Sequence, residues 1–273
     1  MEIHPGTSVG ALQDGLPLAP LENRILLCHA LGLTRVGLIT QSERVVSAAE
    51  ARQLAKLVAR RQAGEPIAYI VGQREFFGLD FRVTGAVLIP RPDTELLVEL
   101  ALERLASGAS VLDMGTGSGA IAVAIAHTRP DAIVSALDVS EAALDIARGN
   151  AASNGACVRF LRSDWYDALR GETFGMIVSN PPYIADGDVH LGQGDLRFEP
   201  AGALTDHADG LSALRTIIAG APSHLAAQGW LLMEHGYDQA AQVRELLAGA
   251  GYTDVQSWRD LSGIERVSGA RRA

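Results

Sequence analysis

Four consecutive residues, Asn180, Pro181, Pro182 and Tyr183 (the NPPY motif), are suited to holding an amino or amide nitrogen. They follow a short apolar run, which predicts a position at the carboxyl end of a parallel strand, where open α/β sheets bind ligands. The prolines stiffen the segment, so the Asn180 side-chain oxygen and the Pro181 carbonyl can be aimed at one point. Two such acceptors hold an NH₂ group by both hydrogens, and Tyr183 offers a flat face to a planar amide or base.

This arrangement suits methyl transfer to nitrogen. An amide nitrogen is a poor nucleophile because its lone pair is delocalised into the carbonyl group. Acceptors placed out of the amide plane favour pyramidalisation, and their dipoles stabilise the positive charge that develops on the nitrogen. Alignment of the nitrogen with the methyl group and its leaving group lowers the barrier to transfer further, and no strong general base is required. The simpler interpretation of the motif is a proline-rich turn that only caps a strand.

A second segment, residues 111–119, predicts an apolar strand that runs into a glycine-rich turn and a helix. Its glycines have GxGxG spacing instead of the GxGxxG spacing of dinucleotide sites, and they allow the backbone to approach a ligand closely. The carboxylate of Asp113 would repel a pyrophosphate but attract a cationic or zwitterionic ligand. S-adenosyl-L-methionine carries an ammonium and a sulfonium group. The segment therefore predicts this cofactor, with S-adenosyl-L-homocysteine as the product.

Two further residues extend the predicted cofactor site. Asp138 ends the next predicted strand, about 20 residues on, where a carboxylate can accept hydrogen bonds from both ribose hydroxyls. Trp165 and its neighbours Ser163 and Asp164 follow the strand after that, in a position suited to holding an adenine ring. The simpler interpretations are a helix cap for Asp138 and a core position for Trp165.

Composition narrows the possible classes of function. The chain has 273 residues, 48% of them hydrophobic, and can bury a full core. Its net charge of −9 argues against broad binding to nucleic acid, so we expect no stable nucleic-acid complex. Cys28 and Cys157 lie outside any metal-binding pattern, and we expect both to be small buried residues and no metal to be bound. Without a signal-peptide pattern or a long apolar run, a cytoplasmic protein that does not enter a membrane is expected.

The hydrophobic pattern predicts four parts. Residues 1–18 are rich in glycine, proline and small polar residues and are expected to form a flexible arm. Residues 19–66 have helical spacing and predict a small helical domain. Residues 67–92 are expected to form a β-hairpin linker that already includes residues 69–71 as a strand. Residues 93–273 then form the main domain.

In this main domain, apolar runs alternate with helical patterns. Strands are predicted at residues 110–112, 133–137, 158–161, 176–179, 230–234, 255–258 and 266–268. Helices are predicted at about 93–106, 119–128, 140–154, 210–226 and 238–250. Strands separated by such helices indicate βαβ units and an α/β fold with a mostly parallel sheet covered on both faces.

From about residue 20 to its end, the chain resembles one family, the HemK-type (PrmC) glutamine methyltransferases of peptide chain release factors. The most specific stretches are residues 65–70 with Gly72, Phe76 and Phe77, residues 88–95, 113–122 and 179–184, and residues 198–200 with Ala203 and Leu204. Residues 90–95 are the part that nucleic-acid enzymes with an NPPY motif usually lack.

The resemblance implies methyl transfer to the side-chain amide nitrogen (N5) of the glutamine in the Gly-Gly-Gln loop of a release factor. It also implies a Rossmann-like class I methyltransferase domain, whose sheet ends in an antiparallel strand, behind a helical domain and a hairpin linker. The cofactor site would be lined by Gly115, Thr116, Gly117, Ser118, Gly119, Asp138, Trp165 and Asn180. The glutamine amide would be held by Asn180, Pro181, Pro182 and Tyr183, with Asn180 and Pro181 as the catalytic pair. We expect a monomer whose helical domain docks the release factor.

Two other functions remain open at this point. A methyltransferase for a nucleic-acid base would flip its target into the same pocket, but the acidic balance and the lack of a basic recognition segment argue against it. A non-catalytic module that binds S-adenosylmethionine would have no use for two amide acceptors.

Arg91 and Glu95 either fix the linker against the pocket or form a salt bridge at a helix start. Residues 198–200 either form a loop on the substrate side or serve packing.

Overall fold

The computed structural model describes residues 3–273, and the chain divides into two compact units, Met1–Gly72 and Gln73–Ala273. The first unit is helical. It contains α1 (Val9–Gly15), α2 (Pro20–Leu31), α3 (Arg35–Thr40), α4 (Ala48–Gln62) and α5 (Ile67–Val71). Ser47 and Glu50 form a capping box at the start of α4, and Gly32 ends α2 with a left-handed φ of 63°.

Helix α1 lies where composition predicts a flexible arm. Its residues Val9 and Leu12, together with Leu16, repeat at helical spacing and are buried in the core of the helical unit. The backbone nitrogen of Val9 also donates to the Arg44 carbonyl at 2.8 Å. The expectation of a flexible arm is therefore wrong for this segment, because a buried apolar stripe outweighs the glycine and proline content around it.

Residues 69–71 are helical and not extended, as part of α5. This short helix follows Pro66 and ends at Gly72, whose φ of 75° is left-handed. Proline is tolerated at a helix start and glycine is favoured at a left-handed cap, so the two residues delimit one helical turn. Ala68 and Ile70 are its buried residues. The boundary between the units falls at Gly72, inside the predicted linker.

The second unit begins with the predicted hairpin, formed by β1 (Gln73–Phe76) and β2 (Leu79–Arg82). Phe77 and Gly78 form a two-residue turn with φ values of 53° and 74°. Two positive φ values are the signature of the turn that best matches the twist of an antiparallel pair.

A seven-stranded sheet organises the rest of the second unit. Its strands are β3 (Ser110–Met114), β4 (Ile133–Asp138), β5 (Val158–Arg162), β6 (Phe174–Ser179), β7 (Leu225–Glu234), β8 (Thr253–Arg259) and β9 (Glu265–Arg271). Its helices are α6 (Glu95–Arg104), α7 (Ala120–Thr128), α8 (Glu141–Ser153), α9 (Ala201–Leu204), α10 (Ser212–Gly220) and α11 (Ala240–Gly249). The strand order is β5-β4-β3-β6-β7-β9-β8, and β9 is antiparallel to both of its neighbours. The α/β fold with a mostly parallel sheet and a closing antiparallel strand is confirmed.

Alternate residues of the central strands fill two cores. In β3, Val111 packs in the core that contains α6 and α7, whereas Leu112 packs in the core that contains α10 and α11. In β6, Val178 and Ile177 divide between the same two cores. Because successive strand residues face opposite sides, helices cover both faces and leave the carboxyl edge of the sheet for a site.

The expectation that both cysteines are small buried residues is wrong, since neither is fully buried. Cys28 is half-buried, whereas Cys157 is exposed in the turn before β5. Within residues 3–273, no helix is both long and apolar enough to cross a membrane.

Candidate active site

A cavity of about 290 Å³ lies at the carboxyl ends of β3, β4 and β6. The chain passes from β3 outward to β4 and β5 and then returns to β6 on the other side of β3. Ligands of open α/β sheets bind at such a reversal of strand order. The segments that line the cavity include residues 86–91, 115–118, 138–140, 163–165, 180–182 and 200–203.

The glycine loop (residues 115–119) forms one wall of this cavity. The backbone nitrogens of Gly115 and Thr116 both donate to the Leu137 carbonyl, at 3.0 and 2.9 Å. Gly115 and Gly117 have φ values of 73° and 54°, and a Cβ atom at either position would meet no atom within 4 Å. These two glycines therefore combine left-handed backbone with open space beside it, as a close ligand approach requires.

Gly119 has a different role from the other two glycines. It caps α7 with a φ of 83° and is not among the residues that line the cavity. A Cβ atom there would lie 3.0 Å from the Cβ of Ala147 in α8. Gly119 thus allows the two helices to pack closely, and its predicted contact with the cofactor is not seen in the cavity wall.

Replacing Gly119 by alanine is expected to lower the free energy of unfolding by about 1–3 kcal/mol, because a side chain is strained at this positive φ and crowds Ala147. Urea unfolding measures this loss. Gly149→Ala is the matched control: Gly149 is exposed in α8, has open space around it and should gain roughly 0.5–1 kcal/mol. Equal stability of the Gly119→Ala variant and the unchanged protein would contradict the packing role.

Asp113 lies behind the glycine loop and is not among the residues that line the cavity. It is fully buried, and its Oδ2 accepts from the Thr116 hydroxyl at 2.6 Å and from the Ala122 backbone nitrogen at 3.2 Å. Burial raises the pKa of this carboxyl to about 7. Asp113 therefore holds the loop against α7, and the attraction between its charge and the cofactor stays a prediction.

Asp138 joins the glycine loop to the turn after β4. Its Oδ2 accepts from the Gly117 backbone nitrogen at 2.8 Å, and its Oδ1 accepts from the Ser140 backbone nitrogen at 2.9 Å. The cap of α8 is Ser140, whose hydroxyl accepts from Ala143, so Asp138 is not the helix cap. A carboxylate has about four acceptor positions, and these two bonds leave others for a ligand in the cavity.

Trp165 lines the cavity together with Ser163 and Asp164. Its φ of 44° lies in the left-handed region, which is strained for a bulky side chain. Ser163 holds this conformation, because its hydroxyl donates to the Trp165 carbonyl at 2.8 Å and accepts from the Ala168 backbone nitrogen at 3.0 Å. Strained backbone that its surroundings fix in this way is typical of functional sites.

Within the NPPY motif, Asn180, Pro181 and Pro182 line the cavity. The Asn180 side-chain nitrogen donates to the Thr94 hydroxyl at 3.2 Å, which orients the carboxamide and leaves its Oδ1 as an acceptor. The Asn180 side-chain oxygen is therefore available as an acceptor, and Asn180 lines the same cavity as the glycine loop.

Tyr183 is not among the residues that line the cavity. Its ring packs against the core on the α10 and α11 side, and its hydroxyl donates to Oε1 of Glu234 at 3.2 Å. Its carbonyl accepts from the Gln239 side chain at 3.0 Å. Burial holds the pKa of its hydroxyl well above the ordinary value. The predicted flat face for the substrate is thus not found in the cavity wall, and Tyr183 instead anchors the motif from behind.

Two segments of the cavity wall, residues 86–91 and 200–203, are absent from the predicted site. They are joined by Glu199, whose fully buried carboxylate accepts from the Ile89 backbone nitrogen at 3.2 Å and from the Arg91 guanidinium. Burial raises the pKa of Glu199, against the lowering effect of Arg91. Glu95 instead accepts from the Phe77 backbone nitrogen at 3.0 Å. Arg91 therefore fixes the pocket wall, and the helix-start salt bridge with Glu95 is not formed.

Arg91→Ala is expected to destabilise the protein by about 1–3 kcal/mol, because it removes the partner of a buried carboxylate. Urea unfolding measures the change. In a Glu199→Gln background, Arg91→Ala should lower the free energy of unfolding by less, since no buried charge is left behind. An identical cost in both backgrounds would show that the ion pair does not stabilise this wall.

Comparisons with known proteins agree with this geometry. Two family profiles match the chain: PrmC N-terminal domain over residues 10–72 and Methyltransferase small domain over residues 92–201. A release factor glutamine methyltransferase from Burkholderia pseudomallei is 58% identical, over 98% of this chain and 96% of that protein. One from Bordetella pertussis is 55% identical, over 93% and 95%.

Among solved structures, a methyltransferase from Pyrococcus furiosus has a TM-score of 0.57 at 20% identity and covers 80% of this chain and 99% of that chain. This last similarity concerns the fold alone. The sequence relatives, in contrast, match both units of the chain at high identity, and they confirm the resemblance seen in the motifs. The chain therefore belongs to the release factor glutamine methyltransferase family.

Proposed function

We propose that this protein transfers a methyl group from S-adenosylmethionine to the side-chain amide nitrogen of a glutamine in a peptide chain release factor, namely the glutamine of the Gly-Gly-Gln loop. One observation carries the proposal. The Asn180 carboxamide, held by Thr94 through its nitrogen, stands in the same cavity as the open glycine loop. An amide acceptor and a cofactor cradle in one cavity suit methyl transfer to an NH₂ group.

The residues present fit the cofactor. Gly115 and Gly117 leave open space beside left-handed backbone, Asp138 keeps acceptor positions for ribose hydroxyls, and Trp165 offers an aromatic ring. These residues, with Thr116 and Ser118 from the same loop, would hold S-adenosylmethionine. When bound, this group supplies a methyl on a positively charged sulfur.

The protein groups act on the substrate amide. Asn180 Oδ1 and the Pro181 carbonyl accept its two hydrogens, which orients the nitrogen and draws its lone pair out of conjugation. The same dipoles stabilise the positive charge that develops on this nitrogen as the bond forms. The charged product loses a proton to water, which restores a neutral amide. Docking of the release factor by the helical unit and a monomeric state stay predictions.

Transfer of labelled methyl from S-adenosylmethionine to purified release factor tests the proposal. We expect label on the intact factor and none on a factor whose Gly-Gly-Gln glutamine is changed to alanine. Nucleic acid is the second control, because a base methyltransferase would label it. Label on nucleic acid and none on the factor would show that the nitrogen chemistry is right and the substrate wrong, and cofactor binding without any transfer would indicate a non-catalytic module.

A further inference from the structure

Gln239 is a buried side chain that joins three loops behind the NPPY motif. It directly precedes α11 and is 9% exposed. Its Oε1 accepts from the Gly236 backbone nitrogen at 2.8 Å, whereas its Nε2 donates to the Tyr183 carbonyl at 3.0 Å and to the Gly210 carbonyl at 3.2 Å. A carboxamide nitrogen has two hydrogens to donate, and both are used here. Gln239 therefore ties the turn after β7 and the turn before α10 to the end of the motif.

The orientation of this carboxamide is fixed by its partners. The backbone N–H group of Gly236 can only donate, and the two carbonyls can only accept. A flipped side chain would place its NH₂ group against that N–H group and its oxygen against two carbonyl oxygens. The turn that carries Gly236 is held as well, because the Gly236 carbonyl accepts from Nδ1 of the buried His235 at 2.9 Å. The donors of Gln239 thus point at Tyr183 and Gly210 in a single arrangement.

Gly210 shows how closely these loops approach each other. Its φ is 81°, and a Cβ atom there would lie 2.6 Å from the Tyr183 carbonyl oxygen, 3.0 Å from Nε2 of Gln239 and 3.1 Å from the Ala185 backbone nitrogen. A Cβ atom does not approach a backbone oxygen this closely without displacing it. The contact between Gln239 and Tyr183 therefore depends on glycine at position 210.

The NPPY motif depends on contacts at its two ends. Pro181 and Pro182 carry no backbone N–H group that could hold the middle of the motif, and their rings fix both φ values at about −65°. The amino end is held by β6 and by the bond from Asn180 to Thr94. Once the carboxyl end is held at Tyr183 as well, few backbone conformations remain. The direction of the Pro181 carbonyl is then set by where the two ends are held.

We propose that Gln239 is a positioning residue for methyl transfer, which holds the carboxyl end of the NPPY motif through the Tyr183 carbonyl and thereby sets the direction of the Pro181 carbonyl. Gln239 is not among the residues that line the cavity, so it acts through the motif. The inference rests on the proposed function for its effect on turnover, because that function makes the Pro181 carbonyl an acceptor. The position of this carbonyl in the fold does not depend on which substrate is methylated.

Gln239→Glu tests the inference. The carboxylate keeps the size of the side chain and an acceptor for Gly236, but it turns an oxygen toward two carbonyls where the NH₂ group was. We expect kcat at saturating S-adenosylmethionine and release factor to fall about 10- to 100-fold, because a displacement of about 1 Å at a reacting centre has an effect of this size. The Kd of S-adenosylmethionine should stay within about twofold, since neither Gln239 nor Tyr183 lines the cavity.

Tyr252→Phe is the matched control for Gln239→Glu. The Tyr252 hydroxyl also donates to a backbone carbonyl, that of Ile218 at 2.9 Å, and Tyr252 is 7% exposed and outside the cavity wall. This variant loses a donor at a similar depth, so it should lose stability but keep kcat. Both variants are assayed at a temperature at which circular dichroism shows them to be fully folded. A fall in kcat then reports on the position of the motif and not on unfolding.

Gly210→Ala displaces the Tyr183 carbonyl by a second route, and Gly251→Ala is its control. The φ of Gly251 is 82°, close to the 81° of Gly210, but a Cβ atom at Gly251 would meet nothing within 4 Å. Both substitutions strain the backbone, and only the first presses on Tyr183. We expect kcat to fall in Gly210→Ala and not in Gly251→Ala. Gly210→Ala combined with Gln239→Glu should lower kcat little further, because both act at one contact.

A second measurement needs no substrate. Crystal structures of the unchanged protein and of Gln239→Glu should differ in the position of the Pro181 carbonyl oxygen by roughly 0.5 Å or more, the tolerance of a productive site. Tyr252→Phe should leave this oxygen in place. An unmoved Pro181 carbonyl or an unchanged kcat in Gln239→Glu would overturn the inference, as would equal falls of kcat in the two controls. If the unchanged protein labels no release factor, the proposed function fails, while the crystal structures still decide the role of Gln239.

Discussion

Asn180→Ala is expected to lower kcat for release factor methylation by about 10²–10³-fold, which is typical for the loss of one preorganised polar group at a reacting centre. The substitution removes the Oδ1 acceptor that would hold the substrate amide and draw out its lone pair. It also leaves Thr94 without its donor. The backbone of the NPPY motif and the Tyr183 anchor remain, so the motif itself should stay in place. Methyl transfer at saturating substrate and cofactor measures the effect.

The control for this variant is Asn154→Ala. Asn154 also donates from its side chain, in this case to the Asp80 backbone carbonyl at 3.0 Å, but it is not among the residues that line the cavity. Its loss should leave kcat unchanged. In Asn180→Ala the Kd of S-adenosylmethionine, measured by calorimetry, should change much less than kcat. Turnover equal to that of the unchanged protein would show that the acceptor mechanism is wrong.

Asp138→Ala is expected to raise the Kd of S-adenosylmethionine by about 10- to 150-fold, the equivalent of a hydrogen bond to a charged group worth about 1.5–3 kcal/mol. Two causes act together. The ribose hydroxyls would lose their acceptor, and the Gly117 and Ser140 backbone nitrogens would lose the carboxylate that holds the loop. Methyl transfer should survive at saturating cofactor, because the Asp138 carboxylate bonds Gly117 and Ser140 and not the NPPY motif. Calorimetric titration together with kcat at high cofactor concentration separates the two effects.

Asp145→Ala is the matched control for Asp138→Ala. Asp145 lies on α8, with its side chain 72% exposed and paired to Arg148, and it should not alter cofactor binding. Asp138→Asn should raise the Kd of S-adenosylmethionine by less than Asp138→Ala does. One of its two side-chain acceptors becomes an NH₂ donor that faces a backbone nitrogen, whereas the other acceptor remains. An unchanged Kd in Asp138→Ala would mean that the cofactor is held without this carboxylate.

Local sequence patterns are sufficient to predict most of the strands and helices of the second unit. Alternating strand and helix patterns predict the parallel sheet, because each strand or helix of this length is specified by its own periodicity. The glycine loop, Asp138 and the NPPY motif each follow a strand directly. Since the carboxyl ends of parallel strands lie on one edge of a sheet, these distant residues are expected together, and the structure brings them to one cavity.

The errors in secondary structure occur where short segments carry competing signals. Composition predicts a flexible arm, but Val9, Leu12 and Leu16 form a stripe that the rest of the helical unit buries. Residues 69–71 have strand propensity, yet Pro66 and Gly72 delimit a helical turn. Propensity is weak in segments this short, and burial against neighbouring elements decides their conformation.

By itself, the sequence determines the glycine loop, the NPPY motif and the class of fold, because each depends on residues adjacent along the chain or on the periodicity of one element. Only the tertiary structure decides the partners of those residues. Arg91 meets Glu199 across 108 positions, and Asn180 meets Thr94 across 86. Tyr183 meets Glu234 across 51. Periodicity tells which face of an element is buried, whereas the partner of a side chain follows from strand order and from how the loops fold over the edge of the sheet.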